Sequence, residues 1–342
     1  MIKVQDLKII GILLLLFTLF VLYHVTLRTN VITKTEKYYA YVPPTYSADQ
    51  LAEYFRKKNI IRNGLSLKIL AGWMDFTPME KGGMFLIEQG WNNYQLIDHI
   101  KNTEPIPAKN ISIPAVRHRS SFARIITKQL KLDKDKFKEL LKDSALLVKY
   151  NAFDKESIYC MFIPGNYYIP EGSKEEEVIQ RMHDEFLNFW NDERLEKAEE
   201  CSLTPIQATI LASIVYAETK NQIEMPLIAG VYLNRLKRKM RLESDPTLVY
   251  ATGSFSARRV YKNKKVLFPE YNTYARKGLP PGPIYFPPVK AIEAVLNYED
   301  HDYLYFCAKD DSSGCHTFAD TFTEHKENAN KYRKYLNDRK IF

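Results

Sequence analysis

Within residues 204–220 one carboxylate stands where the surrounding pattern asks for an apolar side chain. Ile210, Leu211, Ile214 and Val215 fall three and four residues apart, the spacing of one buried helix face. Glu218 lies four residues beyond Ile214 and carries that stripe onward. A carboxylate kept from water holds its proton more tightly, so burial moves a glutamate from a pKa of about 4.3 toward neutrality. There it can donate a proton, the task of a general acid. The spacing also allows a plainer arrangement, in which the helix ends near Glu218 and the side chain turns into solvent beside Lys220. Glutamates are seldom fully buried, so both arrangements stay open at this point.

Other chemistries find little support. The seven histidines are scattered, with no His-Glu-x-x-His. No Gly-x-Ser-x-Gly elbow marks a serine nucleophile, and no glycine loop is suited to phosphates. Neither a metal nor a cofactor is expected. What remains is acid and base work by one carboxylate among Asn, Tyr and Thr side chains, a lining suited to carbohydrate. Cys160, Cys201, Cys307 and Cys315 have no metal-ligand spacing. Cys307 and Cys315 flank a polar turn at 309–314, so a cross-strand bridge is open in an oxidising compartment, although free buried cysteine is the commoner state.

These residues need a scaffold, and the chain is long enough to supply one. Its 342 residues are 45% hydrophobic, which suits about two domains with a sizeable core. The formal net charge of +8 favours an acidic partner such as nucleic acid, anionic lipid or anionic wall polymer. The charges are interspersed and no nucleic-acid module is present, so nucleic acid is not expected as a partner.

Residues 9–27 are almost uninterruptedly apolar and near the roughly 20 needed to cross a bilayer. With no small-residue cleavage site before Arg28, they read as an uncleaved anchor behind a short tail carrying Lys3 and Lys8. An alternating strand at 38–42, a capping box at Ser47 and Gln50 opening a helix, a second helix at 65–70, a strand at 84–87 and a helix capped by Asn93 form a compact strand, helix, helix, strand, helix unit. A strand at 110–114 and helices at 121–130 and 134–143 come next. An aromatic loop bracketed by Pro164 and Pro170, a candidate for lining a groove, leads to one long helix at 174–197. The helix of Glu218 opens with Thr204, Pro205 and Gln207, a capped start. A second helix through Ile228, Val231 and Leu236 returns antiparallel to it. Segments around Ser244, Tyr271 and Gly278 read as irregular, and two strands at 303–308 and 315–318 with a helix at 325–339 close the chain.

Together these motifs resemble one family. Ile210-Leu211-Ala212-Ser213-Ile214-Val215-x-x-Glu218-Thr219, Val231-Tyr232-Leu233-Asn234-Arg235-Leu236, Arg241-Leu242-x-Ser244-Asp245-Pro246-Thr247, Tyr271-Asn272-Thr273-Tyr274, Gly278-Leu279-Pro280-Pro281-Gly282-Pro283-Ile284, Tyr303-Leu304-Tyr305-Phe306 and His316-Thr317-Phe318 look like the MltG family of endolytic murein transglycosylases, also called YceG-like proteins. The match runs from the anchor to the final helix and is strongest after about Leu203. Two departures stand out: Tyr216 where the family often has Glu, and Ala115-Val116 where it commonly has Glu-Gly.

The resemblance implies an α+β chain in four parts. Residues 1–30 would be a cytoplasmic tail and transmembrane anchor, 36–105 a LysM-like subdomain, 106–200 a linking α/β region, and 201–342 the catalytic transglycosylase domain. It implies Glu218 as the catalytic acid and then base, cleaving the MurNAc-GlcNAc bond of nascent strands to leave 1,6-anhydro ends. Asn234, Asp245, Thr247, Tyr271, Asn272, Tyr274 and His316 are the candidates for holding the sugars, each with an alternative role in shaping its loop. Peptidoglycan glycan strands, the membrane and peptidoglycan synthases are the implied partners. The implied location is the inner membrane, single-pass, with the N-terminus cytoplasmic and the catalytic part outside. A membrane-anchored scaffold that grips glycan without cutting it is the alternative.

Overall fold

The computed structural model describes residues 4–80, 82–150, 152–253, 266–311 and 313–339. Lys3 of the tail and Ser312 of the expected turn lie outside them. The chain divides into two compact units, Met1–Ile111 with Tyr167–Asn191 and Ser112–Asn166 with Asp192–Phe342.

The first unit opens with α1 (Val4–Leu22), prolonged by a π-helical turn at Tyr23–Leu27. Asp6–Leu27 is 22 residues at mean hydropathy 2.4. At about 1.5 Å per residue that is about 33 Å, long enough for the roughly 30 Å hydrocarbon layer of a bilayer. Its side chains face outward, Leu13 at 60% and Phe17 at 64% exposure. One N-terminal helix is therefore long and apolar enough to cross a membrane.

β1 (Lys37–Val42), α2 (Ala48–Lys57), α3 (Gly64–Trp73), β2 (Gly83–Glu88) and α4 (Asn93–Asn102) follow in the expected order. β1 and β2 pair antiparallel, with Lys37 opposite Glu88 and Val42 opposite Gly83. Strand periodicity turns Tyr38, Ala40 and Val42 to one side, where they meet Phe55, Leu67, Phe85 and Ile97. Ser47 and Gln50 form the expected capping box. At α4 the cap is Asn92, not Asn93. Asn92 accepts from the Gln95 amide at 2.9 Å, and Gln95 accepts in return at 3.0 Å. Asn93 faces inward and donates its amide to the Val25 carbonyl at 2.8 Å and to Ser66 Oγ at 3.0 Å. Of two adjacent asparagines, the one facing water caps and the one facing the core ties elements together.

β3 (Ala108–Ile113) precedes α5 (Arg119–Leu130), α6 (Lys134–Leu140) and α7 (Ser144–Lys149). β4 (Gly165–Pro170) pairs with β3, so the expected aromatic loop is in large part a strand. Tyr167, Tyr168 and Ile169 have strand-forming side chains, and Pro170 sits at the strand's end, where a missing donor does little harm. The single helix expected at 174–197 is two, α8 (Glu175–Phe189) and α9 (Asp192–Glu200). Trp190 leaves the helical region with ψ 67° and its ring is buried, while Asp192 and Glu193 favour a new first turn.

The second unit is built around α10 (Pro205–Glu218). Thr204 accepts from the Gln207 amide at 3.2 Å and Gln207 accepts in return at 2.9 Å, closing the expected capping box ahead of Pro205. Every residue from Ala208 to Val215 is buried, so the helix is covered all round rather than along one stripe. α11 (Met225–Lys237), α12 (Asp245–Thr252) and α13 (Val289–Leu296) pack on it. Ala208, Ala212 and Ser213 let these neighbours approach, and Ser213 Oγ accepts the Ile284 amide at 3.1 Å. α12 is a correction, because the segment around Ser244 was expected to be irregular, and Pro246 falls inside the helix. At the first turn of a helix its fixed φ helps and its missing donor costs nothing. Leu211→Ala, which opens a cavity in this fully buried helix, should lower stability by about 2–5 kcal/mol in chemical unfolding.

β5 (Tyr305–Ala308) and β6 (His316–Ala319) form an antiparallel hairpin against which α14 (Phe322–Asp338) packs. The register sets Cys307 opposite Thr317 and Ala308 opposite His316, so Cys315 is out of step with Cys307 and both thiols are free.

Candidate active site

Glu218 is the last residue of α10, so the helix does end where the plainer arrangement placed it. The carboxylate nevertheless turns inward. Its Oε1 accepts hydrogen bonds from Tyr232 Oη at 2.6 Å and from Ser244 Oγ at 2.7 Å. Tyr232 comes from α11, which the loop at 219–224 folds back against α10, and Ser244 stands just before α12. Three elements thus converge on one oxygen.

A layer of hydroxyls fixes Ser244. Its amide donates to Thr273 Oγ1 at 3.0 Å, its carbonyl accepts from Thr247 Oγ1 at 2.7 Å, and the two threonine hydroxyls are 2.7 Å apart. Burial is the main influence on Glu218 and pushes its carboxyl above the ordinary range. The bonds from Tyr232 and Ser244 pull it down, the Asp245 charge pushes it up and His316 pulls it down, yet the net direction is upward. Burial and the neighbouring Glu218 hold the Tyr232 phenol well above 10, so it remains a donor at neutral pH. The carboxyl therefore holds a proton more tightly than an exposed glutamate does, while two fixed donors receive the anion once the proton has gone. Such a group can give a proton and take one back.

Glu218 opens onto a cleft of about 490 Å³, lined also by Asp245, Tyr274, Phe306 and His316. That is ample for sugar rings, since small-molecule sites commonly run from about 300 to 1,000 Å³. Asp245 Oδ1 accepts from the Tyr274 hydroxyl at 2.7 Å, bracing one wall. The His316 amide donates to Glu224 Oε1 at 2.6 Å and its Nδ1 lies 3.2 Å from Glu224 Oε2, bracing the other.

Of the seven residues expected to hold sugars, Asp245, Tyr274 and His316 share the cleft with Glu218. Thr247 is 0% exposed and lies behind Ser244. Tyr271 is buried, its hydroxyl accepting from Arg119 Nη2 at 2.7 Å and donating to Glu156 Oε2 at 2.8 Å. A side chain at Gly282 would collide with the Glu156 carbonyl, which explains a glycine there. Asn272 accepts from the Tyr274 amide at 3.0 Å and shapes the turn that carries Tyr274. Asn234 donates to the carbonyls of His301 and Tyr303 at 2.6 and 3.1 Å and ties down the approach to β5.

Tyr232, Ser244 and Arg235 were not singled out from sequence. Tyr232 reads as one more apolar position of α11, and Ser244 as a cap before Asp-Pro. Arg235 sits in a basic run that looks solvated, yet it is buried and donates to the carbonyls of Leu304, Arg241 and Leu242. The signal for Tyr232 was a hydroxyl on an otherwise apolar helix facing the one that ends at Glu218. Thr247→Val tests the layer behind the site. It should leave KM within about twofold and lower kcat roughly tenfold, since it loosens Ser244 without reaching the cleft.

The profile of the YceG-like family matches residues 40–331. A protein of Bacillus subtilis named endolytic murein transglycosylase is 25% identical over 312 residues, 87% of this chain and 85% of that one. A protein of the same name from Streptococcus pneumoniae strain R6 is 26% identical over 324 residues, and the match covers 84% of this chain and 57% of the longer pneumococcal protein. The crystal structure of a YceG-like protein from Listeria monocytogenes superposes with a TM-score of 0.53 at 23% identity, covering 85% of this chain and 98% of that one, and shares the fold. With this profile spanning all but the first 39 and last 11 residues, the chain belongs to the YceG-like family.

Proposed function

We propose that the chain is an endolytic peptidoglycan lytic transglycosylase anchored by α1. The observation that carries this reading is the inward-turned Glu218 carboxyl, raised in proton affinity and held by Tyr232 and Ser244 at the wall of a sugar-sized cleft. The names of the relatives in Bacillus and Streptococcus support the substrate class.

Protonated Glu218 gives its proton to the glycosidic oxygen that links C1 of N-acetylmuramic acid to N-acetylglucosamine. The C1–O bond breaks and the departing sugar leaves with a hydroxyl. The muramyl C6 oxygen closes on C1, and Glu218, now a carboxylate, takes the C6 hydroxyl proton. The carboxyl ends as it began and no water is consumed. Ordinary glycosidases need two carboxylates because an external nucleophile or a covalent intermediate must be handled. An internal hydroxyl removes that need. Asp245, Tyr274 and His316 hold acetamido and hydroxyl groups, while Thr247, Tyr271, Asn272 and Asn234 act on the shape of the walls.

The first unit's strand and helix module serves as a LysM-like glycan grip. The anchor crosses the inner membrane once with the N-terminus cytoplasmic, leaving the rest of the first unit and the second unit outside beside peptidoglycan synthases. The test is digestion of uncrosslinked glycan strands by the full chain. Products lighter by one water than hydrolysis products, with ends resistant to borohydride, are expected; reducing muramic acid ends would overturn the reading.

A further inference from the structure

A second concavity, of about 660 Å³, lies in the first unit between the end of the apolar helix, α2 and the start of α3. Arg28, Arg56, Arg62 and Lys68 line it against Asp49 and Glu53. Both carboxylates are already engaged, Asp49 with Lys68 at 2.9 Å and Glu53 with Lys57 at 2.7 Å. Among the described residues, none of the three guanidinium groups has a carboxylate within salt-bridge distance. The groove therefore keeps a surplus of positive charge, and the N-terminal end of α3 at Gly64 and Leu65 adds its dipole to the same wall. An anion suits such a site.

Its position says which anion. Leu27 ends the candidate span, and Arg28, the next residue, already lines the groove. No flexible linker intervenes. Asn30 accepts the Asn63 amide at 2.7 Å and donates to Asn93 Oδ1 at 2.6 Å, while Asn93 donates to Val25 inside the last helical turn. That turn packs on α3 and α4, so the groove is held at the level where a spanning helix leaves the hydrocarbon. There the chemistry of the surface is phosphate. The outer flank of α3 is apolar as well, with Leu65 66% and Trp73 57% exposed and Ile69 midway between them at four-residue steps. An exposed Trp beside a membrane span fits the layer just beneath the headgroups.

We propose that this groove binds the phosphate headgroup of an anionic lipid in the leaflet adjoining the first unit, with Leu65 and Trp73 seated in the interfacial layer. The inference rests on the reading of α1 as a membrane anchor. It gives the unit a fixed footing on the bilayer instead of a free tether.

The test uses the full chain in detergent, with native mass spectrometry of bound phosphatidylglycerol or phosphatidylcholine. Wild type should retain phosphatidylglycerol preferentially. The triple variant Arg28→Gln, Arg56→Gln, Arg62→Gln should bind it about a hundredfold more weakly, at an unchanged thermal unfolding midpoint. Arg124→Gln with Lys128→Gln, exposed cations of α5, should change nothing. Equal retention of the two lipids, or undiminished binding in the triple variant, overturns the proposal. So does displacement of the lipid by millimolar inorganic phosphate, which assigns the groove to bare phosphate. In vesicles of brominated phosphatidylglycerol, emission should be quenched in wild type by a component that Trp73→Phe removes, and absence of that component likewise contradicts it. Flotation with neutral vesicles checks the anchor separately. A chain that fails to float sinks the anchor reading and the groove with it, whereas one that floats but shows no lipid preference sinks the groove alone.

Discussion

Glu218→Gln should reduce the formation of 1,6-anhydro ends by a factor on the order of 10²–10⁴ or more, the range carried by a positioned general acid and base. The amide has the size of the acid and its carbonyl can still accept from Tyr232 and Ser244, so the site should keep its shape. It cannot give up a proton to a glycosidic oxygen or recover one from C6. Turnover of full-length protein on glycan strands, with circular dichroism as the check on folding, measures this. Stability should respond with a definite sign. A carboxyl whose pKa is raised by folding contributes stability that is present below the ordinary glutamate range and lost as pH rises through its folded value. Wild type should therefore lose stability relative to Glu218→Gln as the pH is raised from about 4 toward neutrality. A difference running the other way would mean the carboxylate is favoured by its surroundings, contrary to the burial observed.

The second large effect belongs to the two hydroxyls on Glu218. Ser244→Ala and Tyr232→Phe each remove a hydrogen bond to a charged group, worth about 1.5–3 kcal/mol, so each should cost roughly 10- to 100-fold in kcat/KM. Both bonds pull the Glu218 pKa down, so removing either raises it further. An enzyme that needs the protonated acid loses activity as pH rises through that value. The falling high-pH limb of the kcat/KM profile should consequently move to higher pH in both variants. A shift to lower pH, or a uniform loss with no shift, would show that these hydroxyls act elsewhere than on the acid.

Much of the site was legible in the sequence because helix geometry is local. The Thr204 and Gln207 cap, Pro205 and the apolar spacing of Ile210, Leu211, Ile214 and Val215 all follow from short-range rules, and they fix where Glu218 emerges. The direction in which its side chain turns does not follow from them. That depends on Tyr232, 14 positions on, and Ser244, 26 positions on, meeting at one oxygen, a tertiary event with no period to betray it. The same limit explains why only three of the seven expected sugar contacts line the cleft. Polar side chains in irregular segments can serve a ligand or the backbone of their own loop. Asn272 shapes its own turn, Asn234 of α11 is spent on the carbonyls of His301 and Tyr303, and Thr247 of α12 braces Ser244, since buried backbone groups must find partners. Tyr271 was taken by a charge pair, Arg119 and Glu156, from far earlier in the chain. Elements went astray where a residue has two uses. The segment around Ser244 was expected to be irregular and Pro246 instead lies in the first turn of α12, and the loop expected between Pro164 and Pro170 is in large part β4.

In the mechanism we propose, one carboxyl, with no water, both breaks the glycosidic bond and closes the anhydro ring. Digestion of glycan strands by the full chain in water enriched in oxygen-18, followed by mass spectrometry of the released ends, tests it most directly. With Glu218 acting alone, each new muramyl end should carry no heavy oxygen and be lighter by one water than a hydrolysed end. One oxygen-18 atom incorporated at C1 per bond broken would show water as the nucleophile and contradict the mechanism.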